Sequence, residues 1–253
     1  MGMGRLSTKC SHWVNRSVEL LFPPACLFCH SALEETGCCR TCLSGIRPHS
    51  ATVCDHCGVE LPDDLAPGPC GRCLSVAPFQ QRTVSLFRYQ GPVRDAILSW
   101  KLGGDDAAVQ WLVETSEPKL EAIIQPNDLL LPVPMPISRM RRSGQHHAAN
   151  LVRLMAAIAG CQWDWQLLTR VGEQERQSAL SGIARRKNLR KSFSLNSDYR
   201  DEYWKSNRMT GQVWVVDDIL TTGSTLHYAS RALHPLRQPI YALSLARTPL
   251  KEY

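Results

Sequence analysis

The chain alternates between short continuous runs of apolar residues and longer segments whose apolar residues recur every three or four positions. Continuous runs are typical of strands buried on both faces, and the spaced pattern is typical of helices with one buried face. The predicted strands occupy residues 83–89, 128–134, 213–216 and 240–246. The predicted helices occupy residues 93–101, 151–158 and 225–237, and one more follows the Asp105–Asp106 pair. Because strand and helix alternate, we expect an α/β fold with a mostly parallel sheet flanked by helices.

The first 80 residues follow a different pattern. Apolar residues between Trp13 and Phe22 are spaced for one face of a short helix, which ends at Pro23–Pro24. A loop-rich segment with many cysteines and prolines then runs to about residue 74. A chain of 253 residues has room for one domain of moderate size and a small module. We therefore predict an N-terminal helix with a Cys-rich module over residues 1–80 and an α/β domain over residues 81–253.

Eight cysteines before residue 75 form four successive C-x-x-C pairs. The pairs are Cys26 with Cys29, Cys39 with Cys42, Cys54 with Cys57, and Cys70 with Cys73. Two such pairs complete a tetrahedral shell of sulfurs at about 2.3 Å from one ion, and the spacing is that of a zinc ribbon. Eight ligands predict two structural zinc ions. Neighbouring pairs would give one site from the first four cysteines and one from the last four, although the spacing also permits an interleaved pairing.

Paired cysteines have two alternative uses. A disulfide framework requires an oxidising compartment, but no apolar signal-peptide region follows the first nine residues, so we expect a cytoplasmic protein with reduced thiols. Redox chemistry is the second alternative, but one C-x-x-C motif normally suffices for it. His30, His49 or His56 lies close enough in sequence to replace a sulfur, and Cys38 is a candidate competitor of Cys39.

The net charge of +6 at pH 7 favours a polyanionic partner or substrate. Two basic stretches concentrate this charge: Arg139, Arg141 and Arg142, and then residues 185–191. The first could reach a pyrophosphate, and the second could close over a polyphosphate or follow a single-stranded nucleic acid, with a solvated surface as the alternative for both. No apolar stretch approaches the roughly 18 residues that a bilayer span needs, so we expect no membrane insertion.

The most informative segment is residues 213–225, where the apolar run ends in two carboxylates and a hydroxyl-rich loop leads into a helix. A helix N-terminus presents unpaired N–H groups and the positive end of the helix dipole, which favour an anion such as a 5′-phosphate. The carboxylates can accept hydrogen bonds from the vicinal hydroxyls of a ribose. The predicted sugar-phosphate ligands are Asp217, Asp218, Thr221, Thr222, Gly223, Ser224 and Thr225.

Residues 213–225 could also form a Walker-type P-loop or a turn without a ligand. A Walker-type P-loop requires a lysine before its Ser or Thr, and residues 213–225 contain none. An ordinary strand-to-helix turn is the remaining alternative, since Asp, Thr, Ser and Gly are common cap and turn residues. Two carboxylates and a hydroxyl-rich loop directly after four apolar residues favour a ligand site over an ordinary turn.

The loop looks like the phosphoribosyl pyrophosphate loop of type I phosphoribosyltransferases, and the chain as a whole resembles the ComF family, including GntX-type proteins linked to the use of external DNA. The residues that carry the resemblance are Phe22, Pro23, Pro24, Cys26, Cys29, Cys54, Cys57, Gly58, Cys70, Gly71, Cys73, Tyr89, Gly91, Lys101, Pro132, Val133, Pro134, Gln177, Leu180, Arg185, Arg186, Asn188, Phe193 and the segment 215–225. The resemblance implies a type I phosphoribosyltransferase fold preceded by a double zinc ribbon. It also implies phosphoribosyl pyrophosphate with Mg²⁺, or a related sugar phosphate, as ligand, and a role in competence or DNA uptake.

Two classes of function follow from the resemblance. In the first, the protein transfers a phosphoribosyl group, a glycosyltransferase reaction of nucleoside metabolism, with Asp217 and Asp218 on the ribose hydroxyls. In the second, the fold serves as a ligand-sensing or single-stranded-DNA-binding module that works with the DNA-uptake machinery. Fold alone does not separate them. Relatives usually carry an Arg-Gly-Phe-Asn-Gln-like stretch after the Pro-Val-Pro loop, where this chain has residues 143–147 with only the glycine retained.

Overall fold

The computed structural model describes residues 23–50, 52–62, 64, 66, 68–171, 192–198 and 211–249, with only the backbone of Arg139 and Ser143. The predicted helix at residues 13–22 and the basic stretch at residues 185–191 lie outside the described residues. The chain forms two compact units, Met1–Ile46 and Arg47–Tyr253. The Cys-rich segment therefore contributes to both units, and the division into domains at residue 80 stays a prediction.

Five parallel strands form the sheet of the second unit, in the order β1–β7–β6–β2–β3. Their bounds are β1 (Arg82–Arg88), β2 (Leu129–Pro132), β3 (Gln162–Trp163), β6 (Val213–Leu220) and β7 (Ile240–Arg247). A separate antiparallel pair joins β4 (Leu168–Arg170) to β5 (Phe193–Leu195). The expected α/β fold with a mostly parallel sheet is confirmed, and it is consistent with a type I phosphoribosyltransferase-like fold.

Most of the described helices lie in the second unit. The first unit contains α1 (Arg40–Gly45). The described helices of the second unit are α2 (Gly71–Ser75), α3 (Gly91–Lys101), α4 (Ala107–Glu114), α5 (Glu117–Ile123), α6 (Ile137–Ser143), α7 (His147–Ala159) and α8 (Ser224–Ala232). The predicted end of α8 at residue 237 is five residues too late. Pro235 lacks the N–H that a further α-helical turn needs, and the chain continues there as the short 3-10 turn His234–Leu236.

The core of the second unit surrounds the amino-terminal half of β6, the middle strand of the sheet. The side chains of residues 213–216 are buried, because β2 and β7 flank this strand and α7 and α8 pack against it. Burial of an aliphatic side chain contributes about 1.5–3 kcal/mol, and β-branched valines suit the pleated backbone. Trp214 donates its indole N–H to Asp128 Oδ2 at 3.0 Å, so the one polar atom of this side chain is satisfied.

Parallel strands bring their carboxyl ends to one edge of the sheet. This edge carries Tyr89 after β1, Val133 after β2, Thr221 after β6 and Thr248 after β7. The chain continues from β2 to β3 in one direction along the sheet and from β6 to β7 in the other, so the strand order reverses between β2 and β6. Ligands of α/β sheets bind in the crevice outside such a reversal. The fold thus places the end of β6 where a ligand is expected.

Candidate functional site

The loop between β6 and α8 contains the hydroxyl residues that the sequence predicts as phosphate ligands. Thr221 and Thr222 are exposed, and Gly223 has a φ of 78°, in the left-handed region that favours glycine. Thr222 Oγ1 accepts a long bond of 3.5 Å from Ser224 N, and the N-cap Gly223 has no side chain to accept another. Backbone N–H groups of the first turn of α8 therefore remain for an anion.

The two predicted ribose ligands lie at the carboxyl end of β6 and are both partly exposed. Asp217 Oδ1 accepts a hydrogen bond of 3.0 Å from Asp218 N, which holds the first carboxylate against its own backbone. Asp218 Oδ2 lies 2.8 Å from Lys101 Nζ, and the two side chains are 15% and 19% exposed. Lys101 ends α3, far away in sequence, so local sequence patterns gave no sign of this ion pair.

Two further side chains lie close enough to Asp218 for its charge to affect them. Burial raises the pKa of Tyr89, and the negative charge of Asp218 acts in the same direction although Arg94 opposes it. Burial lowers the pKa of His146, which outweighs the opposite effect of Asp218. The neutral His146 ring is the N-cap of α7, because its Nδ1 accepts a hydrogen bond of 3.1 Å from Ala149 N.

The segment that departs from the family pattern has a structural role at the start of α7. Besides the cap by His146, the ring of His147 is buried and packs edge-on against Trp100 with the ring centroids 4.7 Å apart. These histidines therefore act as helix cap and core residue. Arg141 and Arg142, the other candidates for pyrophosphate binding, are exposed in α6, and the side chain of Arg139 lies outside the described residues.

The eight paired cysteines fall into two groups in which the sulfur atoms lie within 4.8 Å of one another. One group contains Cys26, Cys29, Cys39 and Cys42, and the other contains Cys54, Cys57, Cys70 and Cys73. The pairing is thus between neighbours and is not interleaved. The Sγ atoms of Cys29 and Cys39 are 3.8 Å apart, and those of Cys57 and Cys70 are 3.7 Å apart. A tetrahedron with zinc–sulfur bonds of about 2.3 Å has edges of about 3.8 Å, so both groups fit zinc.

Hydrogen bonds from backbone N–H groups stabilise the thiolate form of one cysteine in each group. Cys39 N donates to Cys26 Sγ at 3.4 Å, and Cys70 N donates to Cys54 Sγ at 3.2 Å. Burial raises the pKa of Cys26 and Cys54, but hydrogen bonds from backbone N–H groups outweigh it and bring both pKa values to about 6. Zinc binds the thiolate, so a lowered pKa favours metal binding at neutral pH.

Other candidate ligands from the sequence stay outside these groups. Burial raises the pKa of Cys38 to about 11, and its Sγ donates to Cys39 O at 3.6 Å. Cys38 is therefore a thiol beside the first group and not a competitor for the metal. Among the described residues, both groups consist of cysteines alone, without His30, His49 or His56.

The two groups repeat one backbone pattern, which the sequence spacing alone did not reveal. His30 N donates to Cys26 O and Gly58 N donates to Cys54 O, each at 2.9 Å. His30 and Gly58 occupy the same place in the repeat, with φ values of 59° and 68°. A Cβ at Gly58 would lie 2.7 Å from Thr83 O, so only glycine fits against β1.

Hydrogen bonds connect the segment of the second cysteine group to the sheet of its own unit. Arg247, the buried last residue of β7, donates from Nη1 to Cys57 O at 2.6 Å, and Thr83 Oγ1 donates to His56 O at 2.7 Å. Arg72, between Cys70 and Cys73, donates from Nη1 to Thr222 O at 3.5 Å. The second cysteine group is therefore held in the sheet's unit, and Arg72 within it contacts the candidate sugar-phosphate loop, a relationship that no local sequence signal gave.

A separate cleft lies at the other edge of the sheet. It is lined by residues that include Phe79, His234 and Ile240, the first residue of β7. This position is at the amino end of a parallel strand, so the cleft is not part of the candidate site. Within the described ranges, every helix is too short or too polar to cross a lipid bilayer.

Comparisons with known proteins agree with these features. A family model described as a double zinc ribbon domain matches residues 17–74. The chain is 31% identical over 214 residues to DNA utilization protein YhgH of Salmonella typhimurium, covering 82% of this chain and 89% of that protein. It is 29% identical over 214 residues to the protein of the same name in Escherichia coli K12, with the same coverage. It is also 28% identical over 231 residues to Competence protein F of Haemophilus influenzae, covering 88% of this chain and 96% of that protein. The chain therefore belongs to the ComF family, with two cysteine sites that fit structural zinc ions at its N-terminus.

Proposed function

We propose that this protein binds phosphoribosyl pyrophosphate, or a related sugar phosphate, at the β6–α8 loop and acts in the use of external DNA. The observation that carries the binding proposal is the placement of paired carboxylates and an uncapped helix N-terminus at the reversal of strand order. The role in DNA use is taken from relatives named DNA utilization protein and Competence protein.

Each part of the loop has a distinct part of the ligand to recognise. The backbone N–H groups at the start of α8 and the hydroxyls of Thr221, Thr222 and Ser224 donate to the 5′-phosphate. The carboxylates of Asp217 and Asp218 accept from the ribose hydroxyls. One carboxylate has about four acceptor sites, so the single bond from Lys101 to Asp218 leaves room for a hydroxyl donor. Mg²⁺ bound together with the ligand would neutralise part of the pyrophosphate charge.

A calorimetric titration of the purified protein with phosphoribosyl pyrophosphate and Mg²⁺ tests this function. The double variant Asp217→Asn, Asp218→Asn should bind at least about a hundredfold more weakly, because two charge-assisted hydrogen bonds become neutral ones. Asp105→Asn with Asp106→Asn is the matched control, since it neutralises an adjacent exposed pair that precedes α4. Equal affinity of the wild type and the Asp217/Asp218 variant would refute the proposal. Pyrophosphate release with a panel of bases reports separately whether transfer follows binding.

Binding of single-stranded DNA is a second candidate, and one observation favours it. Trp163 ends the edge strand β3 and is 37% exposed, and Trp165 just beyond it is 54% exposed, although large aromatic side chains are normally buried. Exposed aromatic rings are the stacking platforms of proteins that bind single strands. Oligonucleotide binding that weakens with salt and is lost in Trp163→Ala, Trp165→Ala would support this function. Binding that is unchanged in this variant would remove its basis.

The free thiols also bear on where the protein works. All described cysteines are free of disulfides, and the two zinc-fitting groups need reduced sulfur. A reducing compartment meets this requirement, and we therefore place the protein in the cytoplasm as part of the proposal. Fusion to a compartment-sensitive reporter would check that placement.

A further inference from the structure

We propose that Arg72, from the second cysteine group, is a ligand of the 5′-phosphate at the β6–α8 loop. This inference rests on the proposed function and adds to it a binding residue from the zinc-fitting segment. Arg72 and Thr222 belong to the same compact unit, and they are 150 positions apart in sequence. Neither the loop motif nor the C-x-x-C spacing places an arginine at this site.

The position of Arg72 relative to the loop is supported by one hydrogen bond and by one electrostatic effect. Its Nη1 donates to Thr222 O at 3.5 Å. Its charge also acts on His227 in the first turns of α8, where burial lowers the pKa of the imidazole and the positive charges of Arg231 and Arg72 lower it further. The guanidinium therefore lies beside the start of the helix whose N–H groups are proposed to bind phosphate.

The cysteine group restrains the backbone from which the Arg72 side chain extends. Arg72 lies in α2, between Cys70 and Cys73, and the N–H groups of Cys73 and Leu74 both donate to Cys70 O. Beyond α2, Phe79 N donates to His227 Nδ1 at 3.0 Å, so the segment between α2 and β1 has a direct hydrogen bond to α8. A metal bound by Cys70 and Cys73 would hold the backbone of Arg72 in place, so that little freedom is lost when the side chain meets a phosphate.

The chemistry of the side chain suits a phosphate better than its present partner. A guanidinium carries five N–H donors in a planar fork that matches two phosphate oxygens. Among the described residues, Arg72 uses one of these donors, in a bond of 3.5 Å to a neutral carbonyl. A charge-assisted bond to a phosphate oxygen is shorter and stronger than that contact. Arg72 is exposed, so it is able to turn toward a ligand.

Calorimetric titrations with phosphoribosyl pyrophosphate and with ribose 5-phosphate test the assignment on the full chain. We expect Arg72→Ala to bind both ligands about tenfold more weakly, because a charged hydrogen bond to their shared phosphate is lost. Arg72→Gln keeps a side-chain donor for Thr222 O and removes the charge, so it should show the same loss. Arg231→Ala is the matched control. It removes one exposed positive charge from the last turn of α8, about 10 Å further along the helix, and should stay within twofold of the wild type.

The possible results separate this inference from the function it rests on. Circular dichroism and zinc content should match the wild type in each variant, so that changes in affinity are not losses of fold. If Arg72→Gln binds with wild-type affinity, Arg72 only stabilises the loop through Thr222 O and is not a phosphate ligand. A loss for phosphoribosyl pyrophosphate without a loss for ribose 5-phosphate would overturn the assignment to the 5′-phosphate. Failure of the wild type to bind either sugar phosphate would overturn both proposals.

Discussion

Lys101 Nζ lies 2.8 Å from Asp218 Oδ2, at the carboxyl edge of the sheet and next to the hydroxyl-rich loop. Both side chains are mostly shielded from water, so the pair is screened less than an ordinary surface pair. Two adjacent carboxylates would repel an anionic ligand, and Lys101 compensates for one of these charges. The lysine thereby lowers the negative charge that the proposed ligand, a phosphorylated sugar, would meet at this loop.

Lys101→Met should therefore weaken the binding of phosphoribosyl pyrophosphate by about tenfold, since it exposes the ligand to an uncompensated negative charge. Lys101→Arg keeps the charge and should retain most of the affinity. Calorimetric titration at two salt concentrations measures both variants. Equal affinity of Lys101→Met and the wild type would show that the ion pair serves only the fold.

The hydrophobic pattern predicted the main strands because most of them contain a continuous run of apolar residues. Residues 213–216 are a run of apolar side chains, and the structure places them at the centre of the sheet. The edge strand β3 has two residues, and β4 and β5 have three each, too few for a periodic signal. The end of α8 was predicted too late, since the apolar spacing continues beyond Pro235 although the helix does not.

The sequence indicated candidate site residues only where they are close together in the chain. The loop from Asp217 to Thr225 is contiguous, so its residue types alone indicated a ligand. The contacts of Lys101 with Asp218 and of Arg72 with Thr222 join segments that are brought together by the parallel sheet. Such contacts depend on strand order, which a single sequence does not specify.

The two cysteine groups should differ in what they stabilise, because they belong to different compact units. Cys29→Ser and Cys57→Ser should each lower the zinc content from about two ions per chain to about one. Cys57→Ser should also lower the Tm of the α/β unit by about 10 °C, equivalent to about 3 kcal/mol for a unit of this size. Cys29→Ser should leave that transition in place.

Elemental analysis and near-ultraviolet circular dichroism of the buried tryptophans measure these two effects. The prediction depends on Arg247 and Thr83, which bond the second group to β7 and β1. An equal fall in Tm for both cysteine variants would contradict the assignment of the groups to separate units.

Stability should fall on mild acidification because of His49. Burial is the main cause that lowers its pKa to about 4 from 6.5, with Arg247, Lys119 and Arg88 acting in the same direction and Glu60 opposing them. The unfolded chain therefore takes up a proton below pH 6.5 that the folded protein does not bind until about pH 4. Between pH 7 and pH 5 this difference should remove about 2 kcal/mol from the free energy of unfolding.

Urea unfolding of the wild type and of His49→Gln at both pH values measures the contribution. The variant lacks the titrating group, so its loss between pH 7 and pH 5 should be smaller by that amount. Effects of pH on the cysteine groups are common to both proteins and cancel in the comparison. Parallel losses in the two proteins would show that folding does not lower the pKa of His49.

Replacing Arg247 should lower the free energy of unfolding more than replacing Arg88, the other arginine tested near the second cysteine group. Its side chain is buried and donates to Cys57 O at 2.6 Å, and a zinc ion with four thiolates would carry a net negative charge beside it. Arg247→Gln leaves that carbonyl and that charge without a buried cation, so we expect a loss of about 3 kcal/mol and weaker zinc retention. Arg88→Gln is the matched control, since Arg88 is 39% exposed and bonds Glu60 at 2.7 Å, and its loss should cost about 1 kcal/mol or less. Chemical unfolding and chelator competition measure the two quantities, and similar values for both variants would exclude an electrostatic role of Arg247 at the metal.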